Sequence, residues 1–228
     1  MISKINDANT NAETNGFNES RIISKPPKAL LDVRNLSHCP QILTIGPLHE
    51  MLSGSSSLDE RKALCVKRFM QRHGLSDVEE LMQRLSEDSS HLRLDYSGLL
   101  NYSDKAFQLL VTVDAIFLCE FLLFVTTNWN SILNEHDYFD LLCNNGIATN
   151  QVWKDLVVMG NQIPMSFLLK LIETFPSKAN YEKDKLEKGL LYVIKKVDPF
   201  KKSEDEKSED ENFEILDFCQ RNHLLDCL

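Results

Sequence analysis

Residues 104–125 read "DKAFQLLVTVDAIFLCEFLLFV", and the surroundings this run is built for decide the fold. A run of about twenty apolar residues can span a hydrocarbon core. Thirteen of its residues are Leu, Ile, Phe or Val. At roughly −0.3 to −0.6 kcal/mol each on an insertion scale, they only offset Asp114 and Glu120, which cost about 2.5–3.5 kcal/mol apiece near a membrane centre. Gln108 adds to that cost. A core helix of a soluble domain resolves the conflict, with the two carboxylates expected at its wet edges.

Downstream, "NNGIATN" (144–150) reads as a turn, and Thr149 or Asn150 can cap a helix through Val152, Trp153, Leu156 and Val157. "VVMGNQIPMSFL" (157–168) then reads as the joint between two helices. Gly160 suits the left-handed residue that ends the first helix. Ile163, before proline, is pushed towards extended geometry, and Pro164 suits the first turn of the second helix. Leu168, Leu171, Ile172 and Phe175 form that helix's apolar stripe, and Pro176 stops it. Asn161 and Gln162 both donate and accept, so they are expected to serve the orphan groups of both helix ends. A glutamate at position 160 would be slightly favourable beside the second helix's positive end, but strained if the glycine is needed for positive φ.

Upstream, Ser76 and Glu79 fit a capping box that opens a helix through Leu81, Met82 and Leu85. "LDERKALCVKRFMQRHG" (58–74) places Leu58, Cys65 and Phe69 on one stripe beside the stem of Lys62, and closes on Gly74. Arg61, Lys62, Lys67, Arg68 and Arg72 then read mostly as the solvated face. "SGSSS" (53–57) is a flexible link, and Pro26, Pro27, Pro40 and Pro47 punctuate a segment whose "QILTI" (41–45) is extended. A charged helix is expected at about 180–197.

The organisation expected is a disordered tail over 1–21, a helical domain over 22–200, an acidic linker over 201–212, and a C-terminal helix over 213–228. That last helix is expected to be poorly held, the start of a missing region. The fold class is mainly α: a single helical domain with a Pro-rich extended N-terminal segment and disordered tails.

The charge of −9 and pI near 5.2 argue against broad nucleic-acid binding, which needs a basic face. Six cysteines without a CxxC pair favour a reduced, cytoplasmic setting, and the N-terminus carries no apolar leader. The sequons at Asn18, Asn35 and Asn101 are then chance matches. His49 and Glu50 lack the second histidine of a HExxH site, and His38, Cys39 and His49 are too loosely spaced to rank as ligands. No phosphate-binding glycine loop or nucleophile elbow is present in the sequence. Asp114 and Glu120, six residues apart, point to different helix faces and make no obvious acid–base pair. Cys65 and Cys119 have no identifiable histidine partner. No catalytic, cofactor-binding or metal-binding residue is expected.

"PQILTIGPLHE", "ERKALCVKRFM", "FQLLVTVDAIFLCEFLL", "WKDLVVMGNQIPMSFLLKLI" and "HLLDCL", in this order, resemble the plant domain-of-unknown-function 247 family over about residues 40–228. The matching motif comprises Gly46, Pro47, His49, Asp114, Phe117, Asn161, Gln162, Ile163 and Pro164. The chain departs from the family pattern at Leu48 (usually aromatic), Glu50 (usually His) and Gly160 (usually Glu), and the last of these implies that the backbone tolerates a glutamate at 160. The resemblance implies a plant protein without established catalytic activity. Longer members usually carry a C-terminal hydrophobic segment, which implies membrane attachment and makes the plasma membrane the alternative location. Some members are associated with self-incompatibility in grasses, which implies recognition of a partner. The function expected is therefore a non-enzymatic interaction or signalling module with an unknown protein partner and no cofactor. The alternatives are a truncated copy of a membrane-attached relative, or a hydrolase or transferase using a carboxylate such as Asp114.

Overall fold

The computed structural model describes residues 23–24, 39–49, 56–85, 91–97, 101–126, 139, 146–175 and 179–197. Among them the regular structure is helical, apart from one isolated parallel bridge between Ile23 and Tyr96. The helices are α1 (Ser56–His73), α2 (Val78–Arg84), α3 (Asp104–Thr126), α4 (Gly146–Leu156), α5 (Met165–Glu173) and α6 (Ala179–Val197), with a 3-10 turn at Arg93–Asp95. The fold is mainly α, as the periodicity predicts. The 1–21 tail, the 201–212 linker and the 213–228 helix lie outside the described residues.

The apolar run of 104–125 becomes α3, the axle of the structure. Phe107, Val111, Ala115, Phe117, Phe121 and Leu122 are all buried along it. α1 and α6 lie against it on long contacts, and α2 and α5 on shorter ones. By length and composition α3 could cross a membrane, yet 67% of its most apolar window is buried within the protein. Gly189 sets how closely α6 approaches, because a β-carbon there would meet the Leu122 carbonyl oxygen at 2.7 Å. Phe117 and Phe121 both meet Phe139 edge-on, and Phe121 continues through Trp153 to Tyr192 on α6. Such offset and edge-to-face pairs add roughly 0.5–1.5 kcal/mol beyond their buried area.

The carboxylates of α3 depart from expectation. Asp114 and Glu120 are 3% and 2% exposed, not at wet edges. α1 turns two cationic side chains towards them. Lys62 Nζ lies 2.5 Å from Asp114 Oδ1, and Arg72 grips both oxygens of Glu120. The basic stripe of α1 is thus split, with Lys62 buried while Lys67 and Arg68 stay exposed. Desolvating a charge costs several kcal/mol, and only close pairing with further hydrogen bonds offsets it.

Two helix starts also shift. The N-cap of α2 is Asp77, whose Oδ1 accepts from Glu80 N, while the Glu80 carboxylate accepts from the amide and hydroxyl of Ser76. The capping logic holds, displaced by one residue. Those Ser76 bonds, aided by Arg84, hold the Glu80 carboxyl below its usual pKa. α4 begins at Gly146, inside the stretch expected to turn. That stretch contains no proline, and the helix propensities of glycine and threonine are weak priors that do not bar a helix.

Candidate functional site

The segment 39–45 runs across the α4–α5 joint before the chain turns at 46–49, and side chains rather than a second strand satisfy its backbone. Asp155, near the end of α4, is fully buried. Its Oδ1 accepts from Gln41 N at 3.0 Å and from Gln151 Nε2 at 2.8 Å. Its Oδ2 accepts from Ile42 N at 2.7 Å and Leu43 N at 2.8 Å. Three successive amides converging on one anion form the concave arrangement that backbone nests offer to phosphates and carboxylates. Here the anion is the protein's own.

Asn161 continues the clasp. Its Oδ1 accepts from Ile45 N at 2.6 Å, and its Nδ2 donates to Leu43 O at 2.9 Å and to Asp155 O at 2.7 Å. Bonding to both sides of Thr44 is what the neighbouring residue of a parallel strand would do. The carboxamide therefore stands in for a strand. Gln162 Nε2 donates to Leu156 O at 2.7 Å and Val158 O at 3.3 Å, closing the carbonyl end of α4. One expectation fails here: neither carboxamide serves the start of α5. Pro164 is the N-cap of that helix, and its own carbonyl accepts from Phe167 N and Leu168 N. The carboxamides are thereby released to hold the extended segment.

Gly46 ends that segment with φ of 74° and donates its N–H to Asp114 Oδ2 at 2.8 Å. A β-carbon there would lie 2.5 Å from the Gln162 carbonyl oxygen, so only glycine fits. The same carbonyl accepts from the Tyr96 hydroxyl at 3.1 Å. Burial first, then the Asp114 and Asp95 carboxylates, raise the Tyr96 pKa well above its ordinary 10.0. Above pH 10.0 the unfolded chain releases this proton while the folded chain keeps it, so the unfolded state binds fewer protons. Tyr96 should thus contribute stability that is complete below pH 10.0 and lost as the pH climbs towards the folded value. Denaturation midpoints measured from pH 9 to pH 11 should fall for the native chain, and fall less for Tyr96→Phe.

His49 Nε2 lies 3.1 Å from Met159 O. A carbonyl only accepts, so this bond requires the proton on Nε2. Gly160, adjacent, has the positive φ expected of it, at 81°, but sits in the turn beyond α4 rather than directly at its end. A β-carbon at 160 would meet Ser24 O at 3.0 Å, His49 Nε2 at 3.1 Å and Leu48 Cδ1 at 3.4 Å. The expectation that glutamate is tolerated there is therefore corrected: both the backbone and the space oppose it. Gly160→Glu is expected to cost about 1–3 kcal/mol through left-handed strain and crowding. Urea denaturation would read this as a lower midpoint, and a midpoint at or above the native one would restore the original expectation.

The structure gathers most of the motif residues. Gly46, His49, Asp114, Asn161 and Gln162 meet at this joint, with Pro47, Ile163 and Pro164 buried in the same stretch. Phe117 stands apart, in the aromatic core with Phe139. Asp155 and Tyr96 escaped the sequence reading. Asp155 had a signal, since it is a lone acid flanked by Val152 and Leu156 on the buried side of α4. Tyr96 had none.

A family model described as "plant protein of unknown function", the domain-of-unknown-function 247 family, matches residues 23–228. The chain belongs to this family. A putative UPF0481 protein of Arabidopsis thaliana is 22% identical over 203 residues, covering 89% of this chain and 36% of that protein. The chain thus spans about a third of the length of that curated relative. No solved structure matches.

Elsewhere, α1 and α3 enclose a groove of about 490 Å³. Asp59, Lys62, Ala63 and Val66 line it from α1, and Ala106, Leu109, Leu110 and Val113 from α3, with Tyr102 and Asp114 completing it. Among the described residues no group of three or more His, Cys, Asp or Glu is placed to hold a metal ion. Cys65 and Cys119 are buried, and Cys39 is partly exposed.

Proposed function

We propose that this chain is a non-catalytic recognition module that presents the α1–α3 groove to a protein partner. The observation that carries this reading is how the buried carboxylates are used. Asp155 holds three backbone amides, Glu120 holds Arg72, and Asp114 holds Lys62 together with Gly46 N–H. These groups stabilise the chain's own architecture, whereas a general acid or base must reach a substrate proton. Asp114 borders the groove, but its oxygens face Lys62 and the Gly46 amide. In this reading α3 is the packed centre of the module and not a membrane span.

The test is proximity labelling in plant cells with the native chain and with Ala63→Trp, which fills the groove from an exposed position. With abundance and helical circular dichroism unchanged, the variant should lose a defined subset of labelled neighbours. Identical sets of neighbours would contradict the proposal.

A further inference from the structure

The two walls of the groove carry the same spacing. Residues 59, 62, 63 and 66 on α1 and 106, 109, 110 and 113 on α3 each stand at i, i+3, i+4 and i+7. That spacing is one face of a helix continued over two turns, about 11 Å. The depression therefore runs along both helices as a trough, a shape suited to a rod. Ala63 and Ala106 are exposed at its sides and extend no further than Cβ. Between helices in contact, axes lie about 8–10 Å apart, and small side chains permit that approach. Leu109 is 41% exposed, and Leu110 and Val113 are half-buried beside it, an apolar floor along the trough.

Charge narrows the occupant. Lys62 and Asp114 neutralise each other across the floor. Asp59 is exposed and has no hydrogen bond or ion pair among the described residues. The lining thus keeps one exposed carboxylate at one end, in the first turn of α1, with no cationic side chain among the described residues paired to it, on a chain whose net charge is −9. Complementary charge steers encounter and fixes register, while an amphipathic helix in a groove anchors through i, i+3, i+4 and i+7 side chains. We infer that the α1–α3 groove seats an amphipathic helix of a partner protein, with a lysine or arginine flanking its apolar stripe and facing Asp59. This deepens the recognition reading above and rests on it.

The experiment selects binders from a displayed library of 18-residue helical peptides against the purified full chain. The apolar stripe is held constant and the flanking charges are randomised. Binders should be enriched in Lys or Arg at the flank, should lose at least about tenfold in affinity on Ala63→Trp, and should switch to Asp or Glu on Asp59→Lys. Binders with no charge preference, binders indifferent to Ala63→Trp, or no enrichment would each overturn the inference. So would phenethylamine protecting amides 106–113 from hydrogen exchange while no peptide binds, which would assign the groove to a small amine. If the peptide arm fails but Ala63→Trp still removes neighbours in cells, the recognition reading stands without this partner chemistry. If both fail, both are wrong.

Discussion

Asp155→Ala is expected to lower the stability of the chain by about 3–5 kcal/mol, since buried donors left without an acceptor cost roughly 1–3 kcal/mol each. The Leu43 amide is fully enclosed, and Ile42 is partly so. Gln41 lies at the surface, where water can replace the lost oxygen, so the three costs do not simply add. Urea denaturation should show a lower midpoint, with the slope reporting whether segment 39–49 leaves the native state. Asp155→Asn separates lost acceptors from lost volume. With its carbonyl oxygen in the place of Oδ2 it keeps the shape and both enclosed bonds, to Ile42 N and Leu43 N, and loses only the acceptor facing Gln41 and Gln151, so it should recover much of the loss. A loss below about 1 kcal/mol for alanine would mean that water substitutes for the carboxylate throughout.

The second large effect is expected at the other end of α3. Arg72→Met keeps apolar contact with Phe69 but strands the Glu120 carboxylate, which is 2% exposed. Removing one partner of a buried pair typically costs about 3–5 kcal/mol, whereas replacing both by apolar groups is often neutral. Arg72→Met should therefore be far more damaging than Arg72→Met combined with Glu120→Leu, which should return to within about 1 kcal/mol of the native chain. A double-mutant cycle by thermal or urea denaturation reads the coupling. Additive effects would mean that the pair is solvated in solution and holds nothing together.

These two sites show how far the sequence carried. Helical periodicity was legible because apolar residues recur at the helical period in every segment, and α6 begins and ends within a residue or two of expectation. The joint at 157–168 was legible because Gly160 and Pro164 each have one economical use there. The partners of the polar residues were not. Asn161 looked like a local helix-end device, but its shortest bond goes to Ile45, more than a hundred residues earlier. Asp114 and Glu120 looked like edge carboxylates because hydropathy counts a charge as a cost and does not see Lys62 or Arg72 arriving from α1. Long-range pairing leaves no periodic trace in a single chain. The glutamate expectation at 160 failed for the same reason, since Ser24 and His49 crowd that position from distant parts of the sequence.

The central claim is that the buried polar residues at the joint serve to clasp the extended segment to the helices. Native-state hydrogen exchange of the Ile42, Leu43, Ile45 and Gly46 amides tests it most directly. Each of these amides donates to a side chain of α3, α4 or the joint, so each should exchange only when that clasp opens. Protection comparable to the middle of α3 is the expected result. Exchange at the rate of an open loop, while α3 remains protected, would contradict it and leave Asp155 and Asn161 without the role assigned to them.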